Sequence, residues 1–271
     1  MRYGLIAGKG RFPVLALETA RTLGHDVVVI ALKDNAPPEV ESLGSSCHWI
    51  TIAELGKLID ILHSEKITEV IMAGQVKHTS LFSALKPDWR LFRLLTSLPS
   101  RNTDALIGGV QAELEKEGIR LADSTLLLKP LLAGEGVLTR RAPSSDERKD
   151  LDYGRRVASA LSGFDVGQSV AVCERACVAV EAMEGTDAML RRAATLVNGR
   201  PLRLVKGSRR RAHLLFDVPV AGPRTIAVMQ ETGATALAID AGRTLLLDKD
   251  EMLARANEAG VAIFGHAPDQ E

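Results

Sequence analysis

Apolar positions in the first half of the chain fall into short blocks separated by longer amphipathic ones. Residues 3–7, 27–32, 70–73 and 119–122 are strand-length runs, and residues 13–23, 53–65 and 103–118 place apolar side chains at helical spacing. This alternation predicts a parallel sheet covered by helices, because a parallel pair needs a crossover and a helix is the usual one. Ligands of such sheets sit at the carboxyl ends of the strands, so the loops after Ala7, Ala73 and Ala122 are where binding residues belong.

The second half reads differently. A helix is predicted over 146–162, strands over 168–172 and 177–182, a helix over 188–196, a strand over 202–206 and a helix over 223–233. A strand pair follows about Ala241-Gly242, then a helix over 250–259 and a strand over 261–264. Strands this close in sequence imply a mixed sheet. Between the halves, Leu127 to Leu132 is apolar, Ala133-Gly134-Glu135-Gly136 carries two glycines, and residues 139–150 are polar. That shift marks a domain boundary near residue 133. The expected fold is α/β with two domains: a Rossmann-like, nucleotide-binding-like parallel sheet in 1–132 and an α/β domain with a mixed sheet in 133–271.

Composition narrows the partners. The 271 residues are 46% hydrophobic and 25% charged, as in a globular protein with real cores. Lys plus Arg and Asp plus Glu both number 34, which argues against a nucleic-acid partner held by bulk charge. No apolar run approaches the ~18 residues of a membrane span and no secretory leader pattern opens the chain, so a cytoplasmic protein is expected. Cys47, Cys173 and Cys177 have no histidine at zinc-ligand spacing, and most of these thiols are expected to pack in cores. A metal, if used, should be a hard one held by oxygen, such as Mg²⁺.

Five places could carry chemistry. Gly8-Lys9-Gly10 follows the first strand, where glycines let backbone approach a ligand; proline replaces the third glycine of a dinucleotide fingerprint, and a tight turn without a ligand explains the loop equally. Ala73-Gly74-Gln75 repeats the pattern after another strand. In Glu184-Gly185-Thr186-Asp187, Thr186 is placed to cap the next helix, so that amides and two carboxylates surround a corner fit for phosphate and cation. The plainer explanation is that Glu184 and Asp187 decorate a helix start. Lys206 ends a strand and could meet a phosphate, while Asp217 sits in the apolar run Phe216 to Val220, where a carboxylate needs a partner or a function. Trp89 is read as packing.

In order, Gly4-Leu5-Ile6-Ala7-Gly8-Lys9-Gly10-Arg11-Phe12-Pro13, Met72-Ala73-Gly74-Gln75-Val76, Thr103-Asp104-Ala105-Leu106 and Asp165-Val166-Gly167-Gln168-Ser169-Val170 resemble one family. So do Glu184-Gly185-Thr186-Asp187-Ala188-Met189, Phe216-Asp217-Val218-Pro219 and Gly222-Pro223-Arg224-Thr225. The family is that of the LpxI-type UDP-2,3-diacylglucosamine pyrophosphatases of lipid A biosynthesis. The resemblance implies Mg²⁺-assisted hydrolysis of UDP-2,3-diacylglucosamine to UMP and 2,3-diacylglucosamine 1-phosphate. It implies Asp217 as the essential metal ligand or water-orienting base, with Glu184 and Asp187 as the other catalytic and metal-binding carboxylates. Thr186 and Gln168 would then lie near the pyrophosphate, and Gly8, Lys9, Gly10, Ala73, Gly74, Gln75, Asp104 and Lys206 would complete the substrate contacts. Peripheral contact with the inner membrane and a homodimer are compatible with it. Competing expectations are a non-catalytic nucleotide-sugar or lipid sensor and a nicotinamide-dependent enzyme. One stretch departs from the family pattern: Arg209-Arg210-Arg211-Ala212-His213-Leu214-Leu215 stands where Pro, Gln, Asp and Arg are common.

Overall fold

Strands β1 (Arg2–Ala7) and β2 (Asp26–Leu32) are buried from their second residue onward, as strands covered on both faces must be. With β3 (Ser46–Ile50), β4 (Glu69–Ala73) and β5 (Arg120–Leu121) they form an all-parallel sheet in the order β3-β2-β1-β4-β5. The structure, a computed structural model, describes residues 2–74, 87–98, 103–123, 125–162, 164, 166–208 and 218–267. Gln75, Arg209 to Arg211, His213 and Asp217 lie outside the described residues.

Helices α1 (Phe12–Thr22), α2 (Leu55–Ser64), α3 (Trp89–Ser97) and α4 (Thr103–Lys116) belong to this first unit. In α2 the buried residues Leu55, Leu58, Ile59 and Leu62 follow the spacing of one helical stripe. Asp88 caps α3 by accepting the Leu91 N–H at 2.8 Å, and its other oxygen accepts the Gly56 N–H at 2.6 Å, tying α3 to the start of α2. The buried stripe of α3 is Leu91 and Leu94, which leaves Trp89 73% exposed and stacked on Phe92 with centroids 5.9 Å apart. Trp89 is therefore no core residue, contrary to the sequence expectation.

The chain separates into two compact units, residues 1–128 and 129–271. The second is built on a six-stranded mixed sheet in the order β6-β13-β11-β9-β7-β8. Its members are β6 (Gly136–Val137), β7 (Ser169–Cys173), β8 (Ala176–Val180), β9 (Leu202–Lys206), β11 (Ala234–Asp240) and β13 (Ala262–His266). Glu174 and Arg175, both at positive φ, turn β7 directly into β8, the conformation that a two-residue hairpin loop needs. Strands β9, β11 and β13 run parallel to one another; β6 closes one end antiparallel to β13, and at the other end β7 runs antiparallel to both β9 and the edge strand β8.

Side chains of β9 alternate between two cores. Leu202 and Leu204 pack with residues of α6 (Thr186–Leu196), α7 (Pro223–Glu231) and α8 (Lys249–Glu258), including Met189, Ile226 and Met252. Val205 packs on the other face with Leu151 and Ala158 of α5 (Ser145–Ser162). Near the start of α5, the buried Glu147 accepts from Arg141 at 2.6 and 3.1 Å, from the Thr235 hydroxyl at 2.6 Å and from the Ser144 N–H at 2.7 Å.

One expected pairing is absent. Strands β11 and β12 (Leu245–Leu246) flank Ala241-Gly242 but do not pair, because β11 is already bonded on both edges, to β9 and β13. Strand β12 pairs instead with β10 (Val220–Ala221) in a small parallel ladder. No helix among the described residues is long and apolar enough to cross a membrane.

Candidate functional site

In the first unit the loops after β1 and β4 meet. The Gly8 N–H donates to the Ala73 carbonyl at 2.7 Å. Gly74 has φ +93°, and a Cβ there would lie 2.8 Å from both the Gly8 carbonyl carbon and the Lys9 oxygen, so only glycine permits this approach. The strand order reverses direction between β1 and β4, which makes their carboxyl ends the crevice of such a sheet. Five of the predicted site residues, Gly8, Lys9, Gly10, Ala73 and Gly74, are thus brought together there. Lys9 and Gly10 are exposed, and α1 begins just beyond them without a side-chain cap on its amides. Asp104 lies in the first turn of α4, its side chain outside the described residues.

In the second unit a different group of polar side chains gathers where β8 and β9 end and β7 begins. Ser169 lies opposite Lys206 in the β7–β9 ladder, and the Glu181 N–H donates to the Ser169 carbonyl at 2.9 Å. Gly167, at φ +153°, presses on the next chain segment so closely that a Cβ would overlap the carbonyl oxygen of Glu181. Thr186 stands at the centre. Its hydroxyl lies 3.0 Å from Glu181 Oε1, 3.1 Å from Ser169 Oγ and 3.2 Å from Lys206 Nζ.

The donor inventory orients this network. A hydroxyl has one proton to give, and a carboxylate can only accept. Thr186 therefore donates to Glu181 and accepts from both Ser169 and Lys206. Glu181 Oε2 and Gln168 Oε1 are both buried and have no hydrogen-bond partner. Thr186 is not the helix cap expected from sequence: Gly185, at φ +83°, takes that position, and the Thr186 hydroxyl is spent on Glu181 instead.

Glu184 and Asp187 face other partners. Glu184 accepts from Arg192 at 2.7 Å and from the Ala182 N–H at 3.0 Å, and the Arg192 hydrogen bond holds its carboxyl below the usual range. Asp187 accepts from Arg224 at 2.6 Å. Each carboxylate is thus matched to a guanidinium rather than turned toward a shared cation. Among the described residues no three His, Cys, Asp or Glu side chains are grouped to hold a metal. The described donors do not, as arranged, fit a Mg²⁺ ion.

Sequence reasoning missed Glu181, Ser169 and Asp240. The one available signal was an acid closing an apolar run, which both Glu181 and Asp240 do. Asp240 ends β11 and accepts the Ser208 N–H and hydroxyl at 2.6 and 2.7 Å. Beside it in register stands His266, whose imidazole is pushed below its ordinary range first by burial and then by Arg155.

The chain matches two family models, the LpxI N-terminal domain over residues 2–131 and the LpxI C-terminal domain over residues 134–264. It is 33% identical over 279 aligned residues to the UDP-2,3-diacylglucosamine pyrophosphatase LpxI of Caulobacter vibrioides, covering 99% of each chain. Solved structures resemble it weakly. Bordetella bronchiseptica WbmG, in complex with NAD and UDP, is 19% identical at a TM-score of 0.28, covering 43% of this chain and 34% of that one. Phosphoribosylglycinamide synthetase from Anaerococcus prevotii is 12% identical at 0.27, covering 70% and 34%. Scores this low do not establish a common fold. Two domain models in sequence order and a full-length relative do establish the family: the chain belongs to the LpxI family.

Proposed function

We propose that this chain hydrolyses the pyrophosphate bond of UDP-2,3-diacylglucosamine, releasing UMP and 2,3-diacylglucosamine 1-phosphate in lipid A biosynthesis. The observation that carries the reading is the full-length similarity to a pyrophosphatase of that name. Hydrolysis breaks one P–O bond of the bridge, joins the water oxygen to phosphorus and returns a proton to a base or to solvent. Such chemistry depends chiefly on positioning and on neutralising phosphate charge. Lys206 in the second unit supplies a group of the right sign. Asp217 is the proposed base that orients the water, on the strength of the motif Phe216-Asp217-Val218-Pro219.

Magnesium dependence belongs to the proposal through the resemblance alone; a bound Mg²⁺ would supply further charge neutralisation. Peripheral contact with the inner membrane is proposed because a substrate with two acyl chains resides in a bilayer, with Arg209, Arg210 and Arg211 meeting anionic headgroups.

The test is UMP release from UDP-2,3-diacylglucosamine, with Mg²⁺ and with a chelator. Turnover lost in Asp217→Asn, with an unchanged melting temperature, supports the reading. Binding without turnover in the unaltered protein would replace it with a nucleotide-sugar sensor, and full activity in Asp217→Asn would remove Asp217 from the mechanism.

A further inference from the structure

We infer that Glu181 is an acceptor that reads a hydroxyl or amide N–H group of a ligand's sugar, beside the Lys206 ammonium that faces its phosphate. The inference rests on the nucleotide-sugar reading and deepens it by assigning the part of the ligand that this corner recognises.

The position of Glu181 is fixed from both sides. Its backbone N–H is bonded to the Ser169 carbonyl at 2.9 Å, and Gly167 closes against its own carbonyl. One carboxylate oxygen is held by Thr186 at 3.0 Å, and Thr186 is itself held by Ser169 and Lys206. A long side chain with one oxygen locked presents the other in a fixed direction. That other oxygen, Oε2, is buried and unpartnered. Buried acceptors left unmatched are rare because each costs about 1–3 kcal/mol. A carboxylate oxygen held in this way calls for a donor from a ligand.

The chemistry of the missing donor follows from the neighbours. A phosphate brings acceptors and negative charge, and Glu181 would repel it. A neutral group carrying O–H or N–H satisfies that oxygen. Lys206, one hydrogen bond away through Thr186, attracts an anion to the adjoining position. A sugar bearing hydroxyls and an N-acyl group, joined to a phosphate, has both features in that order.

Titration of ligand binding separates the possibilities. In Glu181→Gln, an amide N–H replaces an acceptor at nearly constant shape. We expect affinity for UDP-2,3-diacylglucosamine to fall roughly 10- to 100-fold, the worth of one hydrogen bond to a charged group, while affinity for UDP alone stays within about twofold. Thr186→Val, which releases Glu181, should shift the same ratio in the same direction. Equal losses for both ligands, or no loss for either, would overturn the assignment. So would loss of binding of Mg²⁺ alone in Glu181→Gln, which would make the corner a cation site. These titrations read binding without turnover, so a failed hydrolysis assay leaves them interpretable; an unaltered protein that binds neither ligand sinks both readings.

Discussion

One oxygen of Asp240 receives both the backbone N–H and the hydroxyl of Ser208, at 2.6 and 2.7 Å. Two donors from one residue on one carboxylate oxygen fix the direction in which the chain leaves β9. That chain leads through residues 209–217 to Asp217. Asp240→Ala is expected to reduce kcat for UMP release by about tenfold or more, since hydrogen bonds to charged groups are worth ~1.5–3 kcal/mol. Asp240→Asn, which keeps an acceptor, should retain more activity than Asp240→Ala. Equal activity in all three proteins would show that the link does not matter to turnover.

Glu147 makes the second unit sensitive to acid. Burial would raise its pKa, but hydrogen bonds from Arg141, Thr235 and the Ser144 backbone outweigh burial and bring it to about 2, against an ordinary 4.5. A folded value below the unfolded one means that protonation favours the unfolded chain. The contribution is complete above about pH 4.5 and is lost as pH falls toward 2. We expect Glu147→Gln to cost about 2–3 kcal/mol at pH 7, with the gap to the unaltered protein narrowing below about pH 4.5 and closing only as pH falls through about 2. Urea midpoints at several pH values measure this; a gap independent of pH would contradict it.

Gly74 and Gly24 make a matched comparison in the first unit. Both have positive φ, +93° and +70°, but a Cβ at Gly24 meets nothing within 4 Å, whereas one at Gly74 strikes the Gly8 and Lys9 backbone. Gly24→Ala should cost only the conformational penalty of about 1 kcal/mol, and Gly74→Ala roughly 2–3 kcal/mol with weakened ligand binding. Thermal unfolding of the two variants gives the difference, and equal costs would show that the two loops can move apart.

The thiols should be slow to react. Burial raises the pKa of all three, and Cys47, with Glu41 adding to the effect, is pushed up to about 11. Only Cys177 is exposed. With an aromatic disulfide reagent at neutral pH, one thiol is expected to react slowly in the folded protein and three in guanidinium, the slow phase vanishing in Cys177→Ser. Rapid reaction of two thiols in the folded state would contradict the half-burial of Cys47 and the burial of Cys173.

The α/β alternation was legible because buried parallel strands such as β2 leave continuous apolar runs that no polar residue interrupts. Strand β3 was missed because it lies at the sheet edge and reads Ser-Cys-His-Trp-Ile, and α3 because only Leu91 and Leu94 record its buried stripe. The loops at Gly8 and Gly74 were found from glycine after strand. The second site was harder to see. Composition shows Glu184 and Asp187 at a helix start, but nothing in it pairs Asp187 with Arg224, 37 residues away. Glu181 fell inside the strand predicted over 177–182, and burial of a single oxygen leaves no trace in sequence.

Strand β13 lies inside its sheet, between β6 and β11, although β6 is Gly136–Val137 and β13 is Ala262–His266. On the ribosome, Gly136–Val137 must therefore wait for more than a hundred further residues to emerge before its neighbour exists. The five strands of the first sheet are all synthesised by Leu121, so that sheet can close while the rest of the chain is still being translated. The nascent chain thus carries a finished amino-terminal sheet and an open carboxyl-terminal one, whose unpaired strand edges are the surfaces a chaperone would cover.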